Sequence, residues 1–249
     1  MSKVRAVLRT GAFVGFSAGI LAAYEASRAL TPASEQENLA DRYRERLTRG
    51  LLRVFGAKLL IEGHYSHRGG ALVVSNHQSA LDIGVMLSLF RGVLVSRHDV
   101  ADWPLLGRLA KHGDTIFVDR DDRRSGAAAL REIRRRVKEG RTVVAFPEGG
   151  TFPGDSVQEF HPGAFAAVRS LGVPIIPVGL AYAPSVPYSG ESFGRHIARV
   201  AARPMTRIAV HLGEPLPGDL DARAMAEAAR SRVESLVSDA RRALDGVPA

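Results

Sequence analysis

The stretch Ala71-Leu72-Val73-Val74-Ser75-Asn76-His77-Gln78-Ser79-Ala80-Leu81-Asp82 decides how this chain is read. Its first five residues carry no charge and include two β-branched valines, the pattern of a buried strand. An imidazole and a carboxylate five positions apart follow the end of that strand. In α/β proteins, reactive and ligand-binding groups collect where strands end. The same residues admit a plainer reading. Ser79 and Asp82 occupy the first and fourth positions of a capping box that opens a helix over Leu81–Phe90. Asp82 then binds a backbone amide and His77 is a loop residue. With eight His and thirteen Asp in 249 residues, chance supplies about 0.4 such spacings per chain, so the spacing alone decides nothing.

Outward from this stretch, short apolar runs alternate with helical ones. Strands are expected at Val93–Ser96, Thr115–Val118, Thr142–Phe146, Ile175–Leu180 and Ile208–Leu212. Helices are expected at Gly126–Glu139, Gly163–Ser170 and Ala222–Leu244. The alternation predicts an α/β fold, a mixed central sheet flanked by helices. Residues 1–48 are expected to form a membrane-associating helical arm, and residues 49–249 one catalytic-size domain that ends in the C-terminal helix.

The net charge of +8 and pI of about 10.4 point to a polyanionic partner. Residues 1–60 hold ten Lys/Arg against five acids, and residues 91–141 hold thirteen against eight. Arg131–Lys138 looks like a nucleic-acid patch. However, Leu130, Ile133 and Val137 recur beneath it at helical spacing and no aromatics are interleaved, so it reads as the solvated face of a core helix, with no nucleic-acid partner. The chain has no cysteine, which excludes disulfides, thiolate metal sites and a Cys nucleophile. His64 and His67 lack a third ligand and read as loop residues, so no metal is expected.

Thr10–Tyr24 is fifteen residues without a charge, preceded by Lys3, Arg5 and Arg9. As a helix it spans about 22 Å, short of a bilayer's hydrocarbon core unless flanking side chains snorkel. Gly11, Gly15, Gly19 and Ala23 form one ridge of the small-residue kind on which membrane helices pack. The alternatives are a signal peptide, which lacks a fitting cleavage site here, and a soluble helix packed on the domain. Gly15-Phe16-Ser17-Ala18-Gly19 matches the G-x-S-x-G nucleophile elbow, but that motif requires a turn between strand and helix and is rejected here. Residues 34–58 read as a charged amphipathic helix whose Arg42, Arg44, Arg46, Arg49 and Arg53 can rest on anionic headgroups.

Three strand ends carry reactive residues: His77 and Asp82, then Arg120, then Glu148 with Gly149 and Gly150. Together with Val173-Pro174-Ile175-Ile176-Pro177-Val178, this order over roughly residues 49–215 resembles the glycerophospholipid acyltransferases. Asn76, His77 and Asp82 match the family's N-H-x-x-x-x-D block, Phe117-Val118-Asp119-Arg120 its F-x-x-R block, and Phe146-Pro147-Glu148-Gly149 its F-P-E-G block. The resemblance implies that His77 is the catalytic base and Asp82 its partner, and that Arg120 binds the acceptor's phosphate. It also implies that Glu148 and Gly149 contribute to acceptor binding, with Gly150, Asn76 and Ser79 beside them. Where the family's third block continues Thr-Arg-Ser, this chain has Gly150-Thr151-Phe152, and His161-Pro162 stands where a Lys is common.

The chemistry agrees with the resemblance. Moving an acyl group from a thioester to a hydroxyl requires removal of the hydroxyl proton as its oxygen attacks, and neutral imidazole is suited to that. Asp82 on the other ring nitrogen would fix the tautomer. Ser79 is read as a helix cap, not a nucleophile, and amides near Gly149 and Gly150 as donors to the developing oxyanion. Arg120 can grip phosphate with two prongs, or pair with Asp119, Asp121 or Asp122. The expected reaction is acyl transfer from acyl-CoA or acyl-ACP to a lysophospholipid, foremost 1-acyl-glycerol-3-phosphate, with no bound cofactor. The expected place is the cytoplasmic face of the bacterial inner membrane, in monotopic form. A lipid or thioester hydrolase using the same pair, acylation of a different lysolipid, and a non-catalytic basic adaptor are the alternatives.

Overall fold

The computed structural model describes residues 2–67, 69–183 and 185–246. Among them, one sheet contains β1 (Ala57–Glu62), β2 (Ala71–Ser75), β3 (Val93–Arg97), β4 (Ile116–Val118), β5 (Thr142–Ala145), β6 (Ile175–Tyr182) and β7 (Thr206–Leu212), in the order β1-β7-β6-β2-β5-β3-β4. Every pairing is parallel except β6 with β7. The sheet is therefore mixed, as expected. All residues of β2, β5 and β6 are buried, because helices cover both faces of the sheet.

The helices are α1 (Ser2–Ala29), α2 (Gln36–Val54), α3 (Leu81–Phe90), α4 (Leu106–His112), α5 (Arg123–Lys138), α6 (Gly163–Val168), α7 (Phe193–Ala202) and α8 (Ala222–Asp245). Alternation along β2 divides the core between the two faces. Val73 packs with Phe13, Leu52, Val85 and Ile197 of α1, α2, α3 and α7. Leu72 and Val74 pack with Ile133, Phe165 and Val233 of α5, α6 and α8.

Three features were not read from the sequence. The stretch expected as one helix through residue 58 stops at Val54, because Gly56 takes φ +62, and Ala57–Glu62 becomes an edge strand against β7. Its half-exposed pattern carries little strand signal. The short helices α4 and α7 were also unanticipated. Residue 48 lies inside α2, so the arm joins the domain through a continuous helix.

In α1, Phe13, Ser17, Leu21 and Tyr24 face inward. A Cβ added at Gly11, Gly15 or Gly19 would meet nothing within 4 Å, so the small-residue ridge points away from α2 and α7 and is not the packing face. Ser17 lies fully buried inside an unbroken helix, and the G-x-S-x-G match forms no elbow. Both ends of α1 are tied down. Arg9 donates to the carbonyls of Arg203 (2.6 Å), Pro204 (3.1 Å) and Phe55 (3.3 Å), and Glu25 accepts from Arg108 (2.5 Å) and His112 (3.1 Å) of α4.

β6 approaches α8 closely because Gly179 has no side chain. A Cβ there would lie 2.4 Å from the carbonyl carbon of Leu236 and 2.5 Å from the amide nitrogen of Val237. We expect Gly179→Ala to force the helix off the sheet at about 1–3 kcal/mol, which a thermal melt reads as a midpoint several degrees lower. An unchanged midpoint would contradict the packing.

Candidate active site

β2 ends at Ser75, and the chain turns across the sheet's edge before starting α3. Asn76 holds that turn. Its amide donates to Leu180 O and its side-chain oxygen accepts from Leu180 N, both at 2.9 Å. This extends the β2–β6 pairing one residue past the strand, through a side chain that is 2% exposed. Asn76 therefore splints the scaffold, in place of the acceptor contact that the sequence suggested.

His77 follows, with its ring stacked on Phe146 at 4.2 Å between centroids and 17° between planes. Its Nδ1 lies 2.8 Å from Asp82 Oδ2. The same oxygen accepts the backbone N–H groups of Gln78 (2.6 Å) and Ser79 (2.8 Å), while Oδ1 accepts the Tyr182 hydroxyl. Asp82 has no solvent exposure, yet its carboxylate is satisfied at every side. Burial, then the adjacent Asp82 charge, push the Tyr182 phenol well up, so it remains a donor. The capping and catalytic readings of Asp82 are thus one arrangement. The carboxylate closes half of the capping box through the Ser79 amide and orients His77 as well. The Ser79 hydroxyl does not reciprocate, because the Asp82 amide donates to the Ser79 carbonyl at 3.1 Å. That hydroxyl accepts from Leu81 N (3.3 Å) and lies 3.0 Å from His196 Nε2. Ser79 is fully buried and has no face toward a substrate.

Glu148 comes from the turn after β5. Its carboxylate accepts the His77 amide (2.6 Å) and the Gln158 amide (2.9 Å), and Phe152 N donates to His77 O at 2.8 Å. The Phe146-Pro147-Glu148-Gly149 turn therefore grips the backbone of His77, and among the described residues Glu148 makes no ion pair with Arg120. Burial raises its carboxyl to about 7, against the lowering pull of the two amides and His77. Gly149, at φ +78, lets Arg120 approach: a Cβ there would lie 2.5 Å from an Arg120 nitrogen. Arg120 donates to Gly149 O. Among the described residues it forms no ion pair with Asp119, Asp121 or Asp122. The Gly149 N–H is taken by Phe146 O at 3.2 Å.

A cavity of about 460 Å³ opens beside the His77 ring. His77, Arg97, Arg120 and Gly150 contribute to its wall, and apolar side chains such as Phe13, Leu51, Leu87 and Leu109 line it between the N-terminal helices and α3 and α4. Arg97 went unnoticed in the sequence although it ends β3, one position past the expected strand. Asp99 holds its guanidinium with two 3.1 Å bonds. Burial, then the neighbouring Arg97 charge, lower the Arg120 pKa, as expected where two guanidiniums line one cavity.

An oriented His–Asp pair and two arginines beside a largely apolar cavity are the parts of an enzyme site. The comparisons with known proteins name its chemistry. The family described as Acyltransferase matches residues 58–181. The lyso-ornithine lipid O-acyltransferase of Pseudomonas aeruginosa is 31% identical over 94% of this chain and 93% of its own length. That of Rhizobium meliloti is 32% identical over 61% of this chain and 53% of its own length, so the chain spans about half of that relative. The 1-acyl-sn-glycerol-3-phosphate acyltransferase of Neisseria gonorrhoeae is 29% identical over 47% of this chain and 46% of its own. Among solved structures, the 1-acyl-sn-glycerophosphate acyltransferase of Thermotoga maritima covers both chains fully with a TM-score of 0.76 at 19% identity, a likeness of fold. The chain belongs to the acyltransferase family and is an acyltransferase of lipid biosynthesis.

The Glu148 environment predicts a pH-dependent stability. The folded chain holds a proton up to about pH 7 that an ordinary carboxyl, at 4.5, gives up earlier. This contribution is present below about 4.5 and is lost as pH rises through about 7. Thermal midpoints of the wild type, taken relative to Glu148→Gln, should fall across that window. A flat difference would show that burial leaves the carboxyl unshifted.

Proposed function

We propose that the protein transfers a fatty acyl group from an acyl-CoA or acyl carrier protein thioester to the hydroxyl of a lysolipid, with His77 as general base. The observation that carries this reading is the 2.8 Å contact between His77 Nδ1 and Asp82, in a ring that also lines the apolar cavity. With Nδ1–H donated to Asp82, Nε2 holds the lone pair. The acceptor's O–H proton passes to Nε2 as its oxygen bonds to the thioester carbonyl carbon. The C–S bond then breaks, and the thiolate leaves with the proton returned by the imidazolium, which Asp82 stabilises. No enzyme nucleophile is required. Gly150 N–H, which has no acceptor among the described residues, is the candidate donor to the oxyanion.

The acceptor we favour is an amino-acid lysolipid. Such a headgroup carries a carboxylate and an ammonium. Arg120 and Arg97 offer cations to the first, and the half-exposed Asp99 offers a carboxylate to the second in the same cavity. The similarity over 94% of the chain is to an enzyme named for lyso-ornithine lipid, and Thr151 stands where the sequence pattern of phosphate acceptors places an Arg. The second reading is 1-acyl-glycerol-3-phosphate, foremost in the sequence analysis and favoured by the two-arginine pair, which suits a phosphate.

The arm supports a site that works at a membrane. α1 is long and apolar enough to cross one by length and composition, and its most apolar 18-residue stretch has a mean hydropathy of 1.5. Its ties to Arg203, Pro204, Arg108 and His112 hold it along the domain, which favours a helix embedded in one surface over a span. Val4, Val7, Leu8 and Val14 are exposed on it, and the arginines of α2 suit anionic headgroups. The cytoplasmic face of the bacterial inner membrane supplies both donor thioesters and anionic lipid.

A purified enzyme assay with labelled acyl donor tests the reading. His77→Ala should reduce transfer by at least about 100-fold, and lyso-ornithine lipid should be acylated faster than 1-acyl-glycerol-3-phosphate. Full transfer by His77→Ala, or release of free fatty acid regardless of acceptor, would reject acyl transfer by this base. The reverse acceptor order would select the second reading.

A further inference from the structure

Behind the reacting pair lies a second histidine network that the acyl-transfer mechanism does not use. His196, on α7, has no solvent exposure. Its Nε2 lies 3.0 Å from the Ser79 hydroxyl and accepts the Ala80 amide at 3.3 Å. Because the Ala80 N–H is a fixed donor, Nε2 is the acceptor nitrogen, and Nδ1 lies between Glu191 Oε1 at 3.3 Å and the Arg199 guanidinium at 3.2 Å. Glu191 is held in turn by Arg199 Nε at 3.0 Å. The Tyr188 ring stacks on His196 at 4.0 Å between centroids and 11° between planes, and the Tyr188 amide donates to Gln78 O at 2.8 Å.

Ser79, His196 and Glu191 have the bond order of a nucleophilic triad. The serine cannot serve as one: it is fully buried, and its oxygen already accepts the Leu81 amide. What the network touches is the backbone between His77 and Asp82. The Ala80 and Leu81 amides are among the unpaired donors that open α3, and they end on His196 Nε2 and Ser79 Oγ respectively. The direction in which Asp82 leaves the helix depends on where these residues stand.

We propose that His196, oriented by Glu191, is a positioning residue for acyl transfer: it caps the start of α3 from a distant helix and thereby sets Asp82 against His77. This deepens the proposed function and rests on His77 being the base. His196 touches no substrate. Its contribution reaches the reaction only through the angle and distance of the His77–Asp82 bond, so it belongs to kcat and not to substrate affinity.

Steady-state kinetics of the full chain test it with three variants. His196→Phe keeps the ring against Tyr188 and removes the acceptor. His196→Gln restores an acceptor near the Nε2 position. Ser79→Ala removes one of the two partners and serves if His196→Phe does not fold. We expect His196→Phe to lower kcat about tenfold, the size of one hydrogen bond felt in the transition state, with both substrate KM values within about twofold. His196→Gln should recover most of the loss, and Ser79→Ala should fall between. An unchanged kcat in His196→Phe or, should that variant not fold, in Ser79→Ala overturns the proposal. So do losses in His196→Phe and His196→Gln that match each other and track an equal drop in melting midpoint, because a purely structural role moves both alike. Covalent labelling of Ser79 by a fluorophosphonate overturns it as well, in favour of a nucleophile. His77→Ala measured alongside separates failures: activity surviving there rejects the base, whereas its loss with unaltered His196 variants rejects only this inference.

Discussion

The Asp82 carboxylate is sealed from solvent, and four donors converge on it: the Tyr182 hydroxyl, the His77 ring, and the amides of Gln78 and Ser79. A buried charge is costly unless it is fully hydrogen-bonded, so the surrounding fold must deliver all four together. The sheet does this through the β2–β6 pairing, which sets Ser75 beside Val178. Asn76 extends the register to Leu180, and two residues further Tyr182 reaches the carboxylate. Asp82 then anchors the His77 ring from one side, while Glu148 and Phe146 hold its backbone and its face from the other. Removing any one donor leaves that buried charge less fully matched beside the His77 imidazole.

The same construction ties the N-terminal arm to the site. α1 and α2 cover the face of the sheet on which His77 emerges, and the gap they leave is the cavity. In the proposed reaction an amphiphile in this cavity would have its polar end among Arg97, Arg120 and His77 and its apolar part against the inner faces of α1 and α2. Arg9 and Glu25, one toward each end of α1, make the arm part of the cavity wall.

Much of this was legible in the sequence because it rests on local pattern. The apolar run before His77, the five-residue spacing to Asp82 and the strand-end position of Arg120 all follow from period and spacing. What escaped depends on pairing between distant segments. Tyr182 reads as one more apolar residue ending a buried strand, and only the β2–β6 register brings it to Asp82. His196 lies more than a hundred residues from Ser79. Spacing brings Asn76, Ser79 and Glu148 to the site but does not reveal their bonds to Leu180, His196 and the His77 backbone. Edge strand β1 went unread because half of it faces solvent, and Arg97 because the strand before it was ended one residue short.

The central claim is that Asp82 fixes the His77 tautomer with the proton on Nδ1, leaving Nε2 free to take one. Nitrogen-15 spectra of histidine-labelled protein in alkaline buffer, assigned by loss of the signal in His77→Gln, read this directly. The account predicts a protonated Nδ1 and a bare Nε2 for His77. A proton on Nε2 with a bare Nδ1 would contradict it.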